Sequence, residues 1–195
     1  FWKSRLIEQM GKFKIELISS VSGKIFDEKL KLQALNSLCS LLDTFLPERQ
    51  NYSEIFNATN AFINLLTLQD ERKNDYWIEG YVKWEIGVLS SIGFSLDLKR
   101  CVVTGANTNL LYVSPKTGKA VSKDAAGIHA PRLLLLPFFL GGEKVIGSNF
   151  YKEILAGLKI TSYFFKNKLL LSINTKNAIN LPSPRIRLVE LIEKL

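Results

Sequence analysis

The sequence predicts a mainly α fold, a helical bundle carrying one small β insertion, and three observations predict it. Apolar residues recur three and four positions apart through most of the 195 residues, the period of a helix with one buried face. Between Cys101 and about Lys123 that period gives way to short alternating runs bounded by Pro and Gly. Pro47, Gly93 and the Gly141-Gly142 pair punctuate the periodic segments, as helix-stop residues should.

The elements follow in order. Phe13-Lys14-Ile15-Glu16-Leu17 alternates apolar and polar, which reads as a strand. A lone strand has no partner, so it reads as the last piece of a sheet whose other strands lie outside this chain. The opening Phe1-Trp2-Lys3, without an initiator Met, fits a fragment of a longer protein. Leu35, Leu38, Leu42 and Phe45 then mark a helix that stops near Pro47. Ile55, Thr59, Phe62, Ile63 and Leu66 mark a second, with Asn51 or Ser53 as its N-cap. Trp77, Tyr81, Trp84, Val88 and Ile92 mark a third, ended by Gly93. Its aromatic stripe could stack bases, but helical spacing favours burial in the core.

Next comes the insertion. Gly105-Ala106-Asn107 reads as a turn, and Leu111-Tyr112-Val113 and Ala120-Val121-Ser122 as short strands. Ser114-Pro115-Lys116-Thr117-Gly118-Lys119 joins them, with Pro and Gly spaced for a tight turn and Lys116 and Lys119 at its tip. Tyr151, Ile154, Leu155, Leu158, Phe165 and Leu169 predict one long helix from about Ser148, with Gly157 a tolerated flaw. The last helix takes Ser183 as N-cap and Pro184 at its first position, then Leu188, Val189, Ile192 and Leu195.

Composition narrows the function. Hydrophobic residues are 47% and charged residues 23% of the chain, which suits a packed globular protein. The apolar stretches at 133–136 and 138–140 are split by Pro137 and fall far short of the roughly 20 residues of a membrane span. Cys39 and Cys101 make no disulfide framework, so the reducing cytoplasm is the expected compartment. His129 sits in Gly127-Ile128-His129-Ala130-Pro131 without a nucleophile motif. Gly141-Gly142 lacks the following Lys-Ser/Thr of a phosphate loop, and the carboxylates are scattered rather than clustered. The chain is expected to be no enzyme and to use no cofactor.

Charge is the stronger signal. Residues 1–98 hold 11 Lys/Arg against 13 Asp/Glu, whereas residues 99–195 hold 15 against 5. A like-charged surface repels itself and suggests a polyanion that neutralises it. The arginines matter individually, because a guanidinium grips phosphate or carboxylate with two arms. Arg100 and Arg132 bracket the insertion. Arg185 and Arg187 fall in the first turn of the last helix, where a cation opposes the helix dipole. A bound phosphate, a peptide carboxylate or an intramolecular salt bridge would each compensate it.

Several stretches also carry a resemblance. Tyr81-Val82-Lys83-Trp84-Glu85, Leu89, Gly93-Phe94, Leu96-Asp97-Leu98 and Cys101 resemble the pattern YxxxELxLLxxxGyxLDLxxC of the RecO family of DNA repair proteins. Leu111-Tyr112-Val113-Ser114-Pro115, Gly118, Ala120-Val121-Ser122 and Arg132-Leu133-Leu134-Leu135-Leu136-Pro137 continue it. Leu181-Pro182-Ser183-Pro184-Arg185 and Leu188 resemble the closing LPxxRxxLxxLL.

The resemblance implies an N-terminal OB barrel followed by a helical domain with a zinc-ribbon-like insertion. Arg5-Leu6-Ile7-Glu8-Gln9-Met10-Gly11 is similar to the end of that barrel. Residues 1–17 are then its remnant, and 18–195 the helical domain, with the insertion at about 99–130. It implies a recombination mediator without catalytic turnover. Such a protein binds single- and double-stranded DNA, anneals strands, partners with RecR and helps load recombinase. Many members hold zinc with two Cys-x-x-Cys pairs; here the positions read Cys101-x-x-Thr104 and Ser122-x-x-Ala125, so no metal is expected.

The expected DNA contacts are Lys99, Arg100, Lys116, Lys119, Lys123, Arg132, Arg185 and Arg187, with Lys166 and Lys168, acting on phosphates without regard to sequence. The alternative is a docking module for the acidic C-terminal tail of single-stranded DNA-binding protein, held in an apolar groove rimmed by arginines.

Overall fold

The computed structural model describes residues 2–3, 6, 11–17, 20–68, 75–170 and 180–195. At the N-terminus β2 (Lys12–Phe13) pairs antiparallel with β1 (Trp2–Lys3), Trp2 opposite Phe13. The alternating stretch is therefore a strand only at its start, and it has a partner within the chain. Ile15 and Leu17, past the ladder, are exposed. Arg5 and residues 7–10, which carry the resemblance to the end of a barrel, lie outside the described residues.

A short α1 (Val21–Lys24) leads into α2 (Lys29–Phe45), which buries Ala34, Leu38, Leu41 and Phe45 on one face. It ends where expected, with Leu46 N–H donating to Leu42 O at 3.0 Å just before Pro47. Helix α3 (Ser53–Thr67) starts at Ser53, but the cap position is Tyr52 and no side chain caps it.

Helix α4 (Tyr76–Ser91) is the axis of the domain and buries Trp77, Ile78, Tyr81, Val82, Trp84, Glu85, Val88 and Leu89. The aromatic stripe is core, not a stacking platform: Tyr81 is fully buried, and Trp84 donates to Thr59 Oγ1 on α3 at 3.0 Å. The helix closes in a Schellman motif, with Phe94 N–H on Leu89 O at 2.8 Å and Gly93 N–H on Ser90 O at 3.0 Å.

The insertion is a four-stranded sheet in the order β3-β5-β4-β6. The predicted hairpin is β4 (Leu110–Val113) with β5 (Lys119–Ser122), antiparallel, Val113 opposite Ala120. Two strands beyond the expected hairpin complete the sheet: β3 (Asp97–Cys101), parallel to β5, and β6 (Leu134–Leu135), antiparallel to β4. A single turn of helix, α5 (Lys123–Ala126), and a 3-10 segment (Gly127–Arg132) connect β5 to β6. Cys101, Leu110, Val113, Ala120 and Leu134 are buried and join the sheet to the helical core.

The long helix runs over the span its apolar spacing suggests, but its last six residues are π- rather than α-helical. Helix α6 (Phe150–Phe164) begins at Asn149, whose side chain accepts from Lys152 N–H at 2.9 Å, and gives way to a π-helical segment (Phe165–Leu170). Phe165, the first residue of that segment, is fully buried and stacks its ring on Phe45 of α2, centroids 4.9 Å apart. Gly157 is no flaw, because a Cβ there would sit 2.9 Å from both Val82 Cγ1 and Phe139 Cζ. It is what lets α6 lie directly on α4. Helix α7 (Ser183–Ile192) packs along α2, where Gln33 Nε2 donates to Pro184 O at 2.6 Å. Its cap position is Pro182, one residue earlier than expected, and no side chain caps it.

Candidate nucleic-acid interface

The arginine pair at the start of α7 divides into two different residues. Arg185 is 2% exposed and lies against Glu85, which is 0% exposed, on α4. Its Nε donates to Glu85 Oε1 at 2.9 Å and its Nη2 to Oε2 at 3.0 Å. The same Nη2 reaches Leu158 O and Thr161 Oγ1 on α6, each at 3.1 Å, and Thr161 donates to Glu85. Burial alone would push the guanidinium pKa down; the Glu85 charge and its hydrogen bonds more than offset this and raise it.

Arg185 is thus removed from the expected DNA contacts, since its charge is spent inside the core. The compensating anion at this helix N-terminus is intramolecular. A sequence signal existed for it. Glu85 lies on the apolar face of α4, one turn after Tyr81 and one before Val88 and Leu89, and a buried carboxylate requires a partner. Beside it, the Tyr81 hydroxyl shares a 2.6 Å hydrogen bond with Ser37 of α2. Burial first, and then the Glu85 charge, push the phenol well above its usual value.

Cys101, Thr104, Ser122 and Ala125, the positions compared above with two Cys-x-x-Cys pairs, lie together at one corner of the insertion. Cys101 Sγ accepts from Ser122 N–H at 3.3 Å, and Ser122 Oγ accepts from Ala125 N–H at 3.4 Å. Burial pushes the Cys101 thiol up, but hydrogen bonds from Ser122 and Thr104 outweigh it and bring the thiol down to about 6. One thiol, two hydroxyls and a methyl do not fit the four nitrogen or sulfur ligands of structural zinc. Here the corner is closed by hydrogen bonds to the sulfur.

The remaining cations are exposed, apart from the half-buried Lys168, and they are distributed. Lys99 and Arg100 lie on β3, an edge strand of the insertion sheet. Lys119 opens β5 opposite Asp97. Lys116, at the hairpin tip, and Lys168, on the π segment after α6, line one cleft of about 260 Å³ with Phe94, Ser95, Leu96 and Thr117. Lys166 is exposed on the same segment. At the other end of the hairpin Lys123 lines a second cleft with Lys144, a cation outside the expected contacts, and with Glu143. Arg132 ends the 3-10 segment, and Arg187 faces α2 in a polar hollow with Asp43 and Cys39. The structure brings Lys116 and Lys168 together across 52 positions of sequence and sets Arg187 apart.

An apolar groove runs between α2 and α3, lined by Leu42, Leu46, Pro47, Tyr52, Ile55 and Phe56, with no arginine in its lining among the described residues. No helix among the described residues is long and apolar enough to cross a membrane.

Comparison with known proteins agrees with the motif pattern. The family model described as "Recombination protein O C terminal" matches residues 30–177. The DNA repair protein RecO of Rhodospirillum rubrum is 35% identical over 193 residues, 99% of this chain and 75% of the relative. Its counterpart in Rhodospirillum centenum is 38% identical over 195 residues, 99% of this chain and 73% of the relative. That of Cereibacter sphaeroides is 39% identical over 193 residues, 99% and 75%. No solved structure matches the chain significantly.

Proposed function

The chain belongs to the RecO family of DNA repair proteins, and on that premise we propose that it is a recombination mediator of the bacterial cytoplasm that holds DNA by its phosphates. The observation that carries this reading is the convergence of Lys116 and Lys168 on one cleft, within the half of the chain that holds 15 Lys/Arg against 5 Asp/Glu. Lys99, Arg100, Lys119, Lys123, Arg132, Lys166 and Arg187 extend the basic surface. Contacts of this kind neutralise phosphates and release counterions, which gives affinity without sequence preference for single or double strands. Strand annealing and recombinase loading with RecR are the activities such a surface would serve. No bond-making chemistry is invoked.

A salt series tests the reading. Fluorescence anisotropy of a labelled single-stranded oligonucleotide should show affinity falling with salt at a log–log slope of about −0.7 per phosphate contact. Absence of binding by this chain at low salt would contradict it. The second reading, docking of the acidic tail of single-stranded DNA-binding protein, would then lead. That reading asks for an apolar groove rimmed by arginines, and the α2–α3 groove has the apolar lining without them.

A further inference from the structure

We propose that the cleft between the hairpin tip and the end of α6 takes one unpaired nucleotide unit of a DNA strand, its phosphate bridged by Lys116 and Lys168 and its base laid on Phe94 and Leu96. The proposal rests on the DNA-binding reading above and assigns it a place and a strand preference.

Three features of the cleft support it. The first is chemical composition. Lys116 and Lys168 come from different elements, and among the described residues no carboxylate lines the cleft with them. The second is the wall. Phe94 and Leu96 are half-buried, and beneath them Phe164 is 3% exposed, so an apolar surface lies directly beside two cations. A bare phosphate site would not need that wall, whereas a nucleotide offers both an anion and a flat ring. The volume is about 260 Å³, many times the space of about 10–15 Å³ that one water needs on the same measure, enough to seat a ring.

The third feature is rigidity. Gly118 holds φ +70°, and a Cβ on it would meet Leu96 Cδ2 at 2.9 Å and the Phe164 ring at 3.6 Å. The hairpin tip is therefore seated on the core. Its turn is braced by Gly118 N–H on Ser114 O at 2.8 Å and by Ser114 N–H on Lys119 O at 2.9 Å. Lys116 is held over the cleft by backbone that does not have to order on binding, which limits the entropy lost. A base paired in a duplex cannot leave its stack for this wall without unpairing. The site thus favours single strands, while phosphate contacts elsewhere on the basic surface do not discriminate.

The test uses the whole chain with labelled oligothymidylate and with a duplex of equal length, over a salt series, the fold of each variant being checked by circular dichroism. K116A/K168A should weaken oligothymidylate binding on the order of tenfold and flatten the slope by about 1.4, two contacts at about 0.7 each. F94L keeps an apolar side chain but removes the ring face. It should weaken oligothymidylate several-fold, leave the salt slope unchanged and leave duplex binding unchanged. K24A, an exposed cation at the end of α1 outside the proposed contacts, serves as control and should leave the single-strand preference intact.

Binding by the unaltered chain that K116A/K168A does not change would overturn the cleft while sparing the DNA-binding reading. Equal losses for duplex and single strand in F94L would overturn the base-stacking assignment. An unaltered chain that binds no oligonucleotide at low salt would overturn both. Protection of the cleft by an acidic peptide but not by oligothymidylate would assign it to a protein partner instead.

Discussion

Arg185 and Glu85, 100 positions apart in sequence, form a two-armed ion pair at 2.9 and 3.0 Å in the centre of the domain. Through Leu158 and Thr161 the pair also ties α6, so three helices meet at one guanidinium. Removing one member strands the other in a dry interior, at a cost of about 3–5 kcal/mol. For a domain of this size about 1 kcal/mol moves the midpoint by roughly 2–4 °C, so R185A should lower Tm by roughly 6–20 °C. The double replacement R185M/E85L should recover most of that. Thermal and urea melts check both, and an R185A protein as stable as the parent would refute the assignment.

The close approach of α6 to α4 gives a second expectation. Replacing Gly by Ala in a helix ordinarily gains about 1 kcal/mol. At Gly157 the new Cβ would press on Val82 and Phe139, and overpacking of that kind costs about 1–3 kcal/mol. G157A should therefore be neutral to about 2 kcal/mol destabilising, and V82A should relieve part of the loss in the double variant. Denaturant midpoints of the four proteins decide it; a stabilised G157A would mean the helices have room to part.

Stability should depend on pH through Cys101. Its thiol is depressed to about 6 in the fold against an ordinary value of about 8.5 in the unfolded chain. A depressed group contributes stability that is present above the unfolded value and lost as pH falls through the folded one. Between pH 9 and 6 the parent should lose stability relative to C101A as pH falls, and below 6 the difference should stop changing. Parallel melts across that range would show it, and a pH-independent difference would contradict it.

Tyrosine sets the alkaline limit. Tyr151 donates to Asp75 Oδ2 at 2.6 Å, and that bond, with burial, raises its phenol. A raised group contributes stability below its unfolded value of about 10 and loses it as pH climbs beyond. Stability should fall above about pH 10, with Y151F falling less steeply. Equal slopes for the two proteins would exclude Tyr151 from that limit.

Much of this architecture is legible in the residues, and the exceptions have physical causes. Helices α2, α4 and α7 follow from apolar spacing because each buries a single continuous face. The β3 strand hides because its burial comes only at Cys101, its last residue, and its partner is parallel and 18 or more residues away in the chain. The apolar rhythm from Tyr151 to Leu169 marks a helical run that does extend to Leu170, but it carries no sign that Phe165–Leu170 widens to a π-helix. Among the candidate contacts, a count of charges places Arg185 and Arg187 together, yet one points into the core and the other toward α2. Helical spacing separates them: Arg185 precedes Leu188 and Ile192 by three and seven positions on the buried face of α7, whereas Arg187 lies off that face, and Glu85, on another helix, supplies the partner.

The account stands or falls on whether the insertion and the end of α6 hold DNA. The most direct measurement is anisotropy of a labelled single-stranded oligonucleotide with the charge-reversal variant K99E/K116E/K119E/K123E/K168E beside the parent chain, across a salt series. All five side chains lie at the surface or half-buried, so the fold should survive. The expected result is a loss of affinity of at least about a hundredfold, equal for unrelated sequences, with a slope flattened by up to about 3.5. A folded variant that binds as tightly as the parent, with the same slope, would contradict the account.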